Sequence, residues 1–327
     1  MIATFSAAVL AIDAPAVAEQ IAEFIRRAVL GPLRRRGVVV GISGGVDSAV
    51  VAALCVQALG RERVFGLLMP ERDSSPDALR LGRLLAESLG VPYAVEDIAP
   101  ALEAVGCYRR QIEAIRRVVP EYGEGWKCKL TLPSILDGER LNVTRLTVEN
   151  PAGEVHTVRL GPAAYLQLVA ATNYKQRIRK TTEYYHADRL NYAVAGTPNR
   201  LEYDQGFFVK QGDGAADFKP IAHLYKTQVY ALARHFGLPA EICQRPPTTD
   251  TFSLAQTQEE FYFALPYAQM DLCLHAFSAG LAAEEVAPAV QLTPAQVQRV
   301  FNDIIAKRRA TAGLHLAPMR FEPGEET

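Results

Sequence analysis

Residues 14–30, APAVAEQIAEFIRRAVL, set Val17, Ile21, Phe24, Ile25 and Ala28 at the three-and-four spacing of one helix face. Val38 to Ile42 is a short apolar run rich in β-branched residues, which predicts a buried strand rather than a helix. A helix over 46–59, a strand over 64–70, a helix over 76–89, a strand over 93–98 and a helix over 99–118 follow in turn. Strand and helix alternating through short turns predict an α/β chain built on a doubly wound parallel sheet.

The alternation breaks between Pro120 and about Gly161. There Val143, Arg145 and Thr147 alternate with Thr144, Leu146 and Val148, and NPAG supplies turn residues before EVHTVRL. This predicts a β-hairpin carried on an insertion of about 106–161. A lone two-stranded ribbon is marginal in water, so it must pack on the main domain or on a second subunit. Helix resumes over 162–187, and YAVAGT (192–197) predicts a fourth strand. A polar loop over 198–220 leads into a helix through YKTQVYALARHFG, closed by Gly237. Residues 280–310 are helical again and the tail after Pro318 is expected to be loose, so the chain reads as a single domain over 1–327 with a helical C-terminal region of about 265–327.

Composition narrows the function classes. The chain has 327 residues, of which 49% are hydrophobic, enough to bury a large core. A formal charge of −1 gives no reason to expect nucleic acid or a membrane surface as partner. The N-terminus reaches Asp13 early with no basic stretch before it, a poor signal peptide, and no run of 18 apolar residues occurs. Five cysteines (Cys55, Cys107, Cys128, Cys243 and Cys273) form no C-x-x-C pair, which suits a reducing cytoplasm better than zinc or a disulfide framework. The six histidines show no H-x-x-x-H or H-E-x-x-H spacing, and no G-x-S-x-G elbow is present.

The candidate chemistry starts at GISGGVDSAV (41–50), where the strand at 38–42 hands over to the helix at 46–59. Such a glycine-rich turn presents backbone N–H groups and the positive end of a helix dipole to phosphate. The loop has no lysine, and Asp47 would repel an anion unless a cation lay between them. The economical reading is that Ser43, Gly44, Gly45 and Ser48 hold a pyrophosphate while Asp47 ligates a bridging Mg²⁺. The plain alternative is a tight turn with an N-cap serine and no ligand. In GTPNRLE, Thr197 and Glu202 follow a strand at the carboxyl edge of the sheet and offer hard oxygen donors suited to Mg²⁺.

SGGVDS resembles the pyrophosphate-binding loop of the N-type ATP pyrophosphatases, whose fold is adenine nucleotide alpha hydrolase-like and Rossmann-like. Within that superfamily, NYKQRIRK (173–180), AGTPNRLEYDQGFFVKQGDGAADFKPI (195–221), LYKTQV (224–229) and RPPTTD (245–250) are similar, in order, to blocks of the ammonia-dependent NAD synthetases. The resemblance covers roughly 36–105 and 162–265. It implies that Gly41, Ser43, Gly44, Gly45, Asp47, Ser48, Met69, Thr197, Lys226 and Thr248 bind ATP. It implies Mg²⁺ on Asp47, Thr197 and Glu202, and catalytic roles for Lys226 and Asp47. Asn173, Lys175, Arg177, Lys210, Asp213 and Asp217 would hold the anionic dinucleotide. Without the family motif, Lys226 reads as an ordinary surface lysine, and Lys175 and Arg179, four apart on one helix face, as solvated basic residues.

The implied reaction adenylates the nicotinate carboxylate of deamido-NAD with ATP and then amidates it with ammonia, giving NAD, AMP and pyrophosphate. Only about 35 residues precede the matched core, so the expectation is that no amidase domain is attached. Nitrogen then arrives as free ammonia or from a separate glutaminase. The family also implies a homodimer. Two departures leave the carboxylate open: the length of the insertion, and Lys180, which stands where the family's R-x-R-M motif ends in methionine. The competing readings are a related ligase acting on another carboxylate and a non-catalytic nucleotide-binding protein. From its place before the helix bearing Lys175 and Arg177, the insertion is expected nearer the acceptor carboxylate than the loop at 43–48.

Overall fold

A computed structural model describes residues 5–132, 144–248, 251–263 and 265–321. Helix α1 (Ala14–Leu30) begins where the Asp13 side chain accepts the Ala16 N–H at 3.1 Å. Strand β1 (Val38–Gly41) turns into α2 (Val46–Leu59), and β2 (Val64–Leu68), α3 (Pro76–Leu89) and β3 (Tyr93–Val95) repeat the unit. Two short helices follow, α4 (Ala99–Ala104) and α5 (Cys107–Arg116), then strands β4 (Lys127–Thr131), β5 (Arg145–Glu149) and β6 (Val155–Arg159). The long α6 (Pro162–Leu190) leads to β7 (Ala193–Ala195), α7 (Arg200–Gln205), α8 (Lys226–His235) and α9 (Ala240–Gln244). Helices α10 (Tyr267–Ser278), α11 (Ala283–Val290) and α12 (Pro294–His315) complete the described chain.

The main sheet is parallel, in the order β3-β2-β1-β7, with Val38 flanked by Val64 and Ala193. Strand β1 is central and buried on both faces, as its unbroken apolar run requires. Successive side chains alternate between faces. Val38, Val40 and Ile42 join Ile25, Val50 and Val229 in the core under α1, α2 and α8. Val39 faces the other way and packs with Leu67, Ala187 and Val194 beneath α6. Helix α2 is buried nearly all round, because α1, α3 and α8 enclose it. The sheet is therefore doubly wound, with the ligand edge at the carboxyl ends of β1 and β7, where the strand order reverses.

Four expectations change. The strands predicted over 64–70 and 93–98 stop at Leu68 and Val95, and the helix predicted over 99–118 is two helices. Gly106 takes a φ of 70° between α4 and α5, which breaks the helical hydrogen-bond run. The polar loop predicted over 198–220 contains α7, started by an Asn199–Glu202 capping box.

The predicted hairpin is two strands of a three-stranded antiparallel sheet, β4-β5-β6, and Val143 lies outside the described residues. Cys128 and Leu130 of β4 point inward with Leu146 and Val148, onto Ile115 of α5 and Leu168 of α6. This sheet thus packs on the main body of the same chain. The second edge of β4 is used too: Leu254 N–H donates to the Cys128 carbonyl at 3.0 Å, and Leu132 N–H donates to the Glu260 carbonyl at 3.1 Å. A separate core joins α10, α11 and α12 to Leu201 of α7 and Phe263. Among the described residues no helix is long and apolar enough to cross a membrane.

Candidate active site

A cavity of about 720 Å³ opens above the carboxyl ends of β1, β2 and β7 and runs to α12. Its floor is the loop between β1 and α2, locked by its own serines. Ser43 N–H donates to Ser48 Oγ at 3.2 Å, Gly45 N–H donates to Ser43 Oγ at 3.3 Å, and Ser48 Oγ donates to the Gly45 carbonyl at 3.0 Å. Gly44 is not among the residues lining the cavity; it has a φ of 77°, and a Cβ there would stand 2.7 Å from the Ala78 carbonyl oxygen. Only glycine meets both conditions, so this position fixes the curl of the loop against α3. Gly45 is the N-cap of α2, and Asp47 lies in that helix's first turn.

Lys226 brings a buried positive charge to this loop. It is the first residue of α8, fully buried, and its ammonium donates to Asp47 Oδ2. The start of α8 is fixed from α10, where Asp271 accepts the Lys226 N–H at 3.2 Å and the Thr227 N–H at 2.7 Å. The other Asp47 oxygen accepts from Asn199 Nδ2 at 3.1 Å. Asn199 N–H donates to Glu202 Oε2 at 3.0 Å, and Gln258 Nε2 donates to Glu202 Oε1 at 3.1 Å. Burial works against the Lys226 charge, but the Asp47 and Glu202 carboxylates more than offset it and raise its pKa.

Glu202 is shifted upward as well, which for a carboxyl favours the neutral form. Burial, and then the charge of Asp47, push its carboxyl up from an ordinary 4.5 to about 8, against the pull of Lys226. Between those values the folded chain holds a proton that the unfolded chain has released. The stability this contributes is complete below about pH 4.5 and is lost as pH rises through about 8. Glu202→Gln removes the titration. Melting curves of the ligand-free protein are expected to show the variant gaining on the wild type between about pH 5 and about pH 8.5, and parallel curves would exclude Glu202 as the titrating group.

Gly41, Ser43, Gly45, Asp47, Ser48, Met69, Asn173, Thr197, Glu202, Asp213, Lys226 and Thr248 all line the cavity. Asp213 accepts the Val209 N–H at 2.7 Å, and burial raises its pKa.

Four residues assigned to the dinucleotide, Lys175, Arg177, Lys210 and Asp217, do not line this cavity. Lys175 is fully buried, and its ammonium donates to Glu71 at 2.9 Å, Asp73 at 2.7 Å and the Thr251 carbonyl at 2.8 Å. With every N–H engaged it has none to offer an anion. Arg177 is exposed and donates to the Lys210 carbonyl at 3.3 Å. Lys210 reaches the end of α12, at 2.8 Å from the Gly313 carbonyl. Asp217 accepts the Val194 N–H of β7 at 2.7 Å, so it seals a sheet edge.

The structure adds residues that the motifs did not single out. Asn199 ties Asp47 to Glu202, and N-R-L-E carried the capping-box signature that points to it. Gln258 had no sequence signal. Glu183 and Lys180 of α6 line the cavity beside Gly41, and Lys180 was visible only as a departure from the family motif. At the far end, Lys307 of α12 donates to the Tyr262 carbonyl and pairs with Asp303, each at 2.6 Å. Among the described residues no cluster of three or more acidic, histidine or cysteine side chains stands ready for a metal, so a cation here would rely on two carboxylates and a hydroxyl.

The NAD synthase family model matches residues 17–117 and 140–309, and β4 falls in the unmatched stretch between them. The chain is 66% identical to an NH(3)-dependent NAD(+) synthetase of Mesorhizobium japonicum, over 97% of this chain and 100% of the relative. Against the enzyme of the same name from Rhizobium meliloti, identity is 59% over 98% and 96% of the two chains. Among solved structures it is similar to an NH3-dependent NAD synthetase from Campylobacter jejuni in complex with nitrate. The TM-score is 0.61 with 25% identity, over 95% of this chain and 100% of that one. The chain belongs to the NAD synthase family.

Proposed function

We propose that this protein is an ATP-dependent amide ligase that converts deamido-NAD and ammonia into NAD, with release of AMP and pyrophosphate. The observation that carries this reading is the end-to-end identity with an NH(3)-dependent NAD(+) synthetase. The pairing of Lys226 with the SGGVDS loop at one end of a cavity of about 720 Å³ supports it.

In the first step a nicotinate carboxylate oxygen bonds to the α-phosphorus of ATP, and the bond to the bridging oxygen breaks with loss of pyrophosphate. Ammonia then adds to the carbonyl of the acyl adenylate, a proton is lost, and AMP leaves. The backbone N–H groups at the start of α2 face the departing pyrophosphate, and the helix dipole favours its charge. Lys226 supplies a fixed positive charge that is already desolvated, and so acts at full strength on the phosphates. No side chain needs to be a nucleophile. The chain's own part is positioning and charge neutralisation.

Asp47, Glu202 and Thr197 would hold Mg²⁺. All three are hard oxygen donors at the cavity, and the charge of Asp47 raises Glu202, an excess of negative charge that a divalent cation would relieve. When bound, the ion neutralises phosphate oxygens. The family resemblance supports a homodimer, and the five unpaired cysteines suit a reducing cytoplasm.

Incubation with ATP, Mg²⁺, ammonium and deamido-NAD is expected to give NAD, AMP and pyrophosphate in equal amounts, with the products identified by mass. Pyrophosphate release with another carboxylate and none with deamido-NAD would favour the related-ligase reading. No release with any carboxylate would favour a nucleotide-binding protein.

A further inference from the structure

The two lysines that α6 buries differ in how well they are satisfied. Lys175 has three acceptors for its three N–H groups. Lys180, five residues further on, has one among the described residues, Glu183 Oε2 at 2.5 Å. Glu183 in turn has Lys180 as its one hydrogen-bond donor among the described residues. Their side chains are 7% and 10% exposed, and both line the cavity. Removing two ions from water costs several kcal/mol each, and the pair recovers that cost only when the remaining protons and lone pairs also find partners. This pair therefore presents unused donors and unused acceptors, side by side, to the cavity.

Its position selects the ligand. Glu183 Oε1 lies 2.8 Å from where a Cβ on Gly41 would be, so the glycine makes the room in which the carboxylate sits. The Met69 methyl is 3.5 Å from the same point, which gives the pair an apolar neighbour. Gly41 ends β1 and stands just before the phosphate loop, on the α6 side of the sheet. One acceptor and one donor beside an apolar side chain, next to the loop read as the phosphate site, match a flat heterocycle attached to that phosphate. We propose that Lys180 and Glu183 read the adenine of ATP, Glu183 accepting from the exocyclic 6-amino group and Lys180 donating to the adjacent ring nitrogen. Guanine offers an acceptor at position 6, against the Glu183 carboxylate, and is rejected. The inference rests on the reading of this cavity as the ATP site.

Purine riboside triphosphate, which lacks only the 6-amino group, tests it. A hydrogen bond to a charged partner contributes about 1.5–3 kcal/mol, so the wild type is expected to use the analogue roughly 10- to 100-fold less well than ATP in kcat/KM for pyrophosphate release. The double variant Lys180→Met, Glu183→Leu removes the pair without stranding a buried charge. In it the ratio between the nucleotides should fall below about threefold. A pair that merely braces α6 would change both nucleotides equally and leave the ratio intact. Equal use of ATP and analogue by the wild type, or an unchanged ratio in the double variant, overturns the proposal. Equilibrium binding of both nucleotides without deamido-NAD gives the same comparison and needs no turnover. A preference for ATP there would stand even if no NAD were formed, and the wild-type comparison requires no variant to fold.

Discussion

Asp47→Asn is expected to keep the fold and to lose pyrophosphate release. Its amide can still accept from Asn199, so the tie to α7 survives. What disappears is the negative charge facing Lys226 and the strongest oxygen donor for a divalent cation. The neutral side chain takes away the first charge that supports the fully buried ammonium, and the field of Asp47 no longer raises Glu202. A rate above about a tenth of the wild type would correspond to only about 1.4 kcal/mol of barrier and would remove Asp47 from the metal set. Initial rates of pyrophosphate release at saturating ATP and Mg²⁺ decide it, with circular dichroism as the check on folding.

Lys175→Met should act on stability rather than on substrate affinity. The change strands the Glu71 and Asp73 carboxylates, which share its ammonium in a buried setting. Breaking a buried pair from one side costs about 3–5 kcal/mol, because an uncompensated charge is left behind. Burial pushes the Asp73 carboxyl up, but Lys175 and then Arg72 hold it below the usual carboxylate value, and the variant removes the larger of those two supports. Equilibrium urea unfolding should show a loss of that size, with the KM for deamido-NAD little changed in whatever fraction remains folded. A large rise in KM at unaltered stability would instead return Lys175 to the dinucleotide. Adding Glu71→Leu and Asp73→Asn should restore much of the lost stability, since no buried charge would then lack a partner.

The alternation of apolar strand and amphipathic helix was readable wherever the period ran long enough, as from α1 to β3. The glycine-rich loop was readable too, because its curl demands particular residue types. Strand β4 was missed: KCKLT alternates over only five residues, and its partner Arg145–Glu149 lies beyond an intervening stretch. The six-residue α7 is too short to show a period, although its cap was in plain view. Motif similarity brought Lys175 and Lys226 forward with equal force. Which of them meets a substrate depends on partners far along the chain, since Glu71 is 104 positions from Lys175, and no local pattern carries that information.

The Lys226–Asp47 contact joins residues 179 positions apart. At about 5–20 residues per second on the ribosome, roughly 10–40 s separate the synthesis of the two. The partner strand of β1 arrives late as well, since Val38 pairs with Ala193. Until then β1 is the open border of a three-stranded nascent sheet, apolar on both faces and with its N–H and C=O groups unpaired on one side, which invites pairing with another chain. The arrangement that places the cavity at the reversal of strand order therefore also gives the growing polypeptide its interval of greatest exposure to aggregation.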